Sequence, residues 1–147
     1  MMYNKRLLMK EMKKCVQIAL ATALASGLAA YARPLTLADP FILPFDSLMH
    51  IAGLIHRHLP FVESIGGYAR VDNVWNKSAD QLRELKNAGY GNFYFGNESG
   101  DDFLLERMNK GYRAEDVVRH MSKLDEAGMP YILNFLGGLG GKGYGLS

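Results

Sequence analysis

One unit occurs twice in this chain and limits what the chain can fold into. "LRELKNAGYGNFYFGNESG" (82–100) and "MSKLDEAGMPYILNFLGG" (121–138) both run from a helix-forming stretch through Ala-Gly to an apolar run and a glycine. A continuous apolar strand is buried on both faces, and a helix on each side of it in sequence supplies the cover. Repetition of that unit predicts parallel strands side by side, with helices as the crossovers. At 147 residues the chain has the size of a single domain with a core of its own, spanning 1–147.

Local signals fill in the remaining elements. From Lys10 to about Ala25, Ala, Leu, Met, Lys and Gln dominate, which predicts an N-terminal helix within 1–30. A short strand follows over 34–38, then a turn at Asp39-Pro40. Phe45 or Asp46 opens a helix with Leu48, Ile51, Leu54, Ile55 and Leu59 at helical spacing, ended by Pro60. A second strand passes through Gly66-Gly67. Ser78 stands three residues before Gln81, the capping-box pattern, and Leu82 and Leu85 give that helix its buried stripe. "NFYFGN" (92–97) is an aromatic strand, and "DDFLLERMNKG" (101–111) a short helix with two acids at its positive end. "AEDVVRHMSKLDEAGM" (114–129) places Val117, Val118, Met121 and Leu124 on one side of a helix, and "PYILNFLGG" (130–138) is the last strand.

Composition narrows the function classes. A net charge of +2 gives no reason to expect a nucleic-acid or acidic-membrane surface. The single cysteine, Cys15, excludes an internal disulfide framework and suits a reducing compartment, so a cytoplasmic location is expected. The basic start and the uncharged stretch 15–32, ending Ala30-Tyr31-Ala32, also fit a secretory leader. Against that stand Glu11 in the basic region and Gln17, Thr22 and Ser26 in the alanine-rich part, which is too weakly apolar for a membrane span.

In parallel α/β sheets, ligands gather beyond the C-terminal ends of the strands. Asp39, Tyr68 to Asp72, Asn97 to Gly100 and Asn134 to Gly138 fall there. "GNESG" (96–100) reads first as a strand-to-helix turn, with Ser99 or Asp101 as N-cap. Glu98 exceeds that reading, because a carboxylate at a strand mouth is costly unless exposed or paired. It can accept from a ribose diol or an ammonium group. A ligand role predicts that it faces the mouth of the sheet and not a lysine or arginine in the wall. "GGLGGKG" (137–143) fails as a phosphate loop, since Gly143 stands where Ser or Thr is needed. His56 and His58 are two apart and point to different sides of a helix, and His50 and His120 add no ligand spacing, so no metal site is expected. Tyr68 and Trp75 could stack on a ligand, although packing is the commoner use of such side chains.

Taken together, "YARVDNVWNKSADQLRELKNAGYGNFYFGNESGDDFLLERMNKGYRAEDVVRHMSKLDEAGMPYILNFLGGLGG" resembles the middle of a radical S-adenosylmethionine (radical SAM) enzyme. The branch it resembles is the one shared by oxygen-independent coproporphyrinogen oxidase-like and elongator-like proteins. The features that carry the likeness are the strand ending in glycine-x-Glu-Ser-Gly, the short helix closing in Met-Asn-Lys-Gly and the next helix ending in Glu-Ala-Gly. "LADPFILPFDSL" (37–48) resembles the preceding strand and turn, so the matched core covers 35–141.

The resemblance implies a fold: a partial (β/α) barrel of parallel strands with helices packed outside, truncated at both ends. It implies two cofactors, S-adenosylmethionine lying across the strand ends and a [4Fe–4S] cluster whose open iron binds it and delivers the cleaving electron. Carried over position by position, Glu98 and Ser99 contact S-adenosylmethionine, with Arg70, Asn134 and Asp39 as further contributors. The family's three cysteines, C-x-x-x-C-x-x-C, are absent, and Cys15 has no partners. The expectation is therefore an internal fragment of a radical SAM enzyme, inactive as this chain, with an exposed edge strand that invites self-association. The alternative is a non-catalytic, degenerate half-barrel that binds a nucleotide-like ligand or a protein partner.

Overall fold

The computed structural model describes residues 34–142 and 144. The helix expected within 1–30, the leader reading of that segment and Cys15 lie outside these residues. Strand β1 (Pro34–Leu37) leads through a 3-10 turn (Pro40–Ile42) into helix α1 (Phe45–His58). Strand β2 (Ser64–Ala69) leads through a second 3-10 turn (Val71–Val74) into α2 (Ala79–Asn87). Strand β3 (Tyr90–Glu98) is followed by the short α3 (Asp102–Arg107), then α4 (Ala114–Ala127) and strand β4 (Tyr131–Phe135).

The local signals act as the sequence predicts. Ser78 Oγ accepts from the Gln81 backbone N–H, and Gln81 Oε1 accepts from the Ser78 N–H, each at 3.1 Å, which closes the capping box of α2. The Ala-Gly ends of both repeats are helix stops: φ is 93° at Gly89 and 64° at Gly128. Asp101 caps α3 by accepting from the Leu104 N–H at 3.0 Å.

The four strands pair in sequence order, β1-β2-β3-β4, and every pair is parallel. This is the arrangement of a partial (β/α) barrel. Alternate residues of a strand face opposite sides. Leu35, Ile65, Ala69, Phe93, Phe95, Tyr131 and Leu133 face the helices and join Leu48, Ile51, Ile55, Leu82, Leu85, Val117, Met121 and Leu124 in one core. On the other face Tyr68, Tyr94 and Ile132 stand in register across three strands. They are 62%, 39% and 45% exposed. One expected core position is corrected: Val118 is exposed while Val117 is buried. Successive helical residues are rotated by roughly 100°, so the two neighbours cannot both face the sheet. Among the described residues no helix is long and apolar enough to cross a membrane.

The β1–β2 pairing depends on Gly67, which is in register with Leu37. A Cβ at this position would collide with the Leu37 carbonyl oxygen and also meet its carbonyl carbon at 3.1 Å. Backbone cannot yield as a side chain does. Gly67→Ala should therefore destabilise the fold by about 1–3 kcal/mol, as overpacking does. Gly53→Ala on α1, where nothing lies within 4 Å of the added methyl, should stabilise by about 0.5–1 kcal/mol. Urea unfolding of the two variants checks both signs.

Candidate functional site

The C-terminal ends of the strands surround an open cavity of about 600 Å³. Asp39 enters from the turn after β1, Arg70 from the end of β2, Gly96 and Glu98 from β3, and Asn134 from β4. Lys110 joins them from the segment after α3, and Tyr68, Tyr94, Phe135 and Leu136 form the apolar wall. Four of the five residues singled out in the sequence thus share one space. The structure does not bring Ser99 there: it is 1% exposed, and its Oγ accepts from the Asp101 N–H at 3.1 Å. Its position serves the turn.

Glu98 reaches the cavity by an unusual backbone. The β3–β4 register shifts between Gly96 and Glu98, and Glu98 has φ 74°, a left-handed value in a non-glycine residue. Such a conformation costs on the order of 1–3 kcal/mol and persists only where neighbours hold it. Here the Leu136 N–H donates to the Glu98 carbonyl at 2.9 Å. The side chain folds back over its own strand, so that a Cβ on Gly96 would lie 2.9 Å from Glu98 Oε1. Glycine at that position makes room for the carboxylate.

Of the two features that a ligand role predicts for Glu98, the structure has one: the residue lines the cavity, but it also faces a lysine. Lys110 Nζ donates to Glu98 Oε1 at 3.2 Å and to the Gly96 carbonyl at 2.9 Å. The two side chains are only 14% and 22% exposed, so most of the pair is buried in the wall. Tyr112 Oη adds a 3.3 Å bond to the same Gly96 carbonyl, and burial raises its phenol pKa to about 12, which keeps it a donor. Sequence reasoning took Asn-Lys-Gly only as the close of a helix. The missed signal is the left-handed pair around the lysine, Asn109 at φ 52° and Gly111 at φ 79°, which turns Lys110 back toward β3.

The other two charged groups differ in how far they are committed. Arg70 forks onto Asp72 at 2.9 and 3.0 Å and donates to the Lys110 carbonyl at 2.6 Å, all through Nε and Nη2. Among the described residues its Nη1 has no acceptor. Asp39 Oδ2 accepts from Asn73 Nδ2 at 2.8 Å, while Oδ1 is buried and has no partner among the described residues. Burial raises the Asp39 pKa against the lowering effect of the Asn73 bond. On the wall, Tyr68 and Tyr94 lie 5.6 Å apart at an interplanar angle of 34°, and Tyr68 is a surface residue where packing was the commoner expectation. Trp75 is exposed and does not line the cavity.

The model of the radical SAM superfamily matches residues 38–145. The chain belongs to the radical SAM superfamily. Among curated proteins it is similar to the heme chaperone HemW of Bacillus subtilis (strain 168), 29% identical over 104 residues. That match covers 70% of this chain and 27% of the chaperone. Among solved structures it is similar to the cobalamin-dependent S-adenosylmethionine radical enzyme OxsB, with a TM-score of 0.62 and 19% identity. This likeness, over 83% of this chain and 18% of OxsB, supports the fold.

The superfamily implies two groups, and the residues present answer differently to each. A [4Fe–4S] cluster is held by several thiolates. The sequence has one cysteine, and among the described residues no group of three or more His, Cys, Asp or Glu side chains could hold a metal ion. The residues of this chain do not fit the cluster. They do fit the zwitterionic nucleoside: an unpartnered buried carboxylate oxygen and a Glu–Lys pair offer acceptors and donors for an amino-acid end beside an apolar wall. Anaerobic reconstitution of this chain with iron and sulfide should accordingly give no four-iron absorption band in the visible spectrum.

Proposed function

We propose that this chain forms the S-adenosylmethionine-binding edge of a radical SAM core. The observation that carries the reading is the meeting of Asp39, Arg70, Glu98, Lys110 and Asn134 in one cavity at the carboxyl ends of parallel strands. In the superfamily the cofactor supplies radical chemistry; the residues here supply its binding and orientation. Glu98 and the free oxygen of Asp39 accept from an ammonium group or a ribose diol. Lys110 and Arg70 Nη1 take the carboxylate, and Asn134 offers one donor and one acceptor. Ser99 closes the turn that follows Glu98, accepting from the Asp101 N–H and from Asn97 Nδ2.

The branch assignment, coproporphyrinogen oxidase-like and elongator-like, rests on the "GNESG" turn and the Met-Asn-Lys-Gly and Glu-Ala-Gly helix ends. Radical generation by the complete protein, a cytoplasmic location and self-association through the β1 edge belong to the same proposal. The absence of cluster ligands from this sequence favours one second reading, a degenerate half-barrel that binds a nucleotide-like ligand without redox chemistry.

Both readings require Glu98 to touch the ligand. In Glu98→Gln, loss of one charge-assisted bond should weaken S-adenosylhomocysteine by about 10- to 100-fold in isothermal titration. The fold should survive, with a melting temperature within a few degrees of native, because glutamine keeps the shape of the side chain and its Oε1 can still accept from Lys110. Unchanged affinity with a lowered melting temperature would reduce Glu98 to scaffold and end the cofactor assignment.

A further inference from the structure

The most buried charge among the described residues lies next to the cavity and not in it. Lys77 is 2% exposed; among the described residues no carboxylate is in salt-bridge contact with its ammonium, although the charge of Asp39 acts on it. Its three N–H groups go to the Phe41 carbonyl at 2.6 Å, Asn76 Oδ1 at 3.0 Å and the Asn73 carbonyl at 3.3 Å. The ammonium also sits 5.3 Å from the centre of the Phe41 ring. That ring is fixed in turn, packed edge-on against Phe93 with centroids 4.5 Å apart.

These contacts span the molecule in a particular way. Phe41 belongs to the 3-10 turn after β1, and Asn73 to the 3-10 turn after β2. One ammonium therefore draws together the turns that follow two neighbouring strands, at the edge where the cavity opens. From α4, Lys123 Nζ donates to the Trp75 and Lys77 carbonyls at 3.0 and 3.3 Å, which fixes the segment carrying Lys77. Asn73 then passes the constraint on, since its Nδ2 holds Asp39 Oδ2 at 2.8 Å and leaves Oδ1 unpartnered in the cavity wall.

A lysine in this place is expensive. Burial lowers its pKa to about 8, and an apolar side chain of similar volume fills core space without that desolvation penalty. What the apolar side chain lacks is the ability to gather two carbonyls from different turns.

We infer that Lys77 is a positioning residue for the Asp39 side of the cavity: by holding the Asn73 backbone carbonyl it fixes the residue whose side-chain amide presents Asp39, and so sets ligand affinity without touching the ligand. The inference rests on the cofactor-binding reading of the cavity. Lys77 itself does not line the cavity.

A double-mutant cycle on the full chain tests it. Lys77→Met should weaken S-adenosylhomocysteine about tenfold in the native background and by less than about twofold in an Asp39→Asn background, while lowering the melting temperature in both. A purely structural lysine gives the same fold-loss of affinity in both backgrounds, and that result overturns the inference. If Lys77→Met does not fold, Asn73→Ser breaks the same relay downstream; it should reproduce the tenfold loss with a melting temperature close to native, and native affinity in this variant overturns the inference equally. A ligand-free measurement separates this idea from the reading beneath it. The Asn73 side-chain amide resonances should shift in Lys77→Met, or in Lys77→Arg where the methionine variant does not fold. Resonances left in place sink the relay even if the ligand binds, whereas a shift with no binding to the native chain sinks the cofactor reading alone.

Discussion

Parallel pairing of the four strands in sequence order is the constraint from which the rest of this structure follows. It brings all the carboxyl ends to one edge, so each strand delivers a residue at or just past its end to the same place: Asp39, Arg70, Glu98 and Asn134. Antiparallel hairpins would scatter these same residues over two edges.

The opposite demand falls on Glu98. A strand that simply ended would point its last side chain either into the core or along the helix-free face. The shift in register and the left-handed φ at Glu98 make a third direction possible, back across Gly96. Such a residue carries strain on the order of 1–3 kcal/mol, and a mostly buried ion pair must first offset the desolvation of both charges. The two Lys110 bonds and the Tyr112 bond, which converge on one carbonyl and one carboxylate, work instead as a brace that holds a strained group in a single orientation.

The sequence revealed what is local and concealed what is relayed. The capping box at Ser78, the Ala-Gly stops and the Asp101 cap are short-range hydrogen bonds within a few residues, so their pattern is written in adjacent letters. The repeated helix-strand unit gave the parallel sheet for the same reason. Lys110 is twelve residues from Glu98, and only the turn geometry between them decides that they meet. Lys77 is further removed still, acting on Phe41 thirty-six residues away. Nothing in its neighbourhood distinguishes it from a surface lysine, because the burial comes from two turns that converge only in the fold. The misplaced Val118 shows the converse: adjacent valines looked equivalent, and the helical rotation separated them.

Membership of the radical SAM superfamily therefore carries different weight for different parts of this molecule. Binding an amino-acid nucleoside asks for donors and acceptors on fixed strand ends; here Lys110 donates to the Gly96 carbonyl of β3, and Lys77 holds the turns after β1 and β2. Generating a radical asks for thiolates, and one cysteine cannot provide them. The two requirements are chemically independent, since a carboxylate that accepts from a ribose or an ammonium group needs no iron to do so. The proposed binding role of this cavity therefore rests on its own donors and acceptors and stands apart from the cluster chemistry of the superfamily.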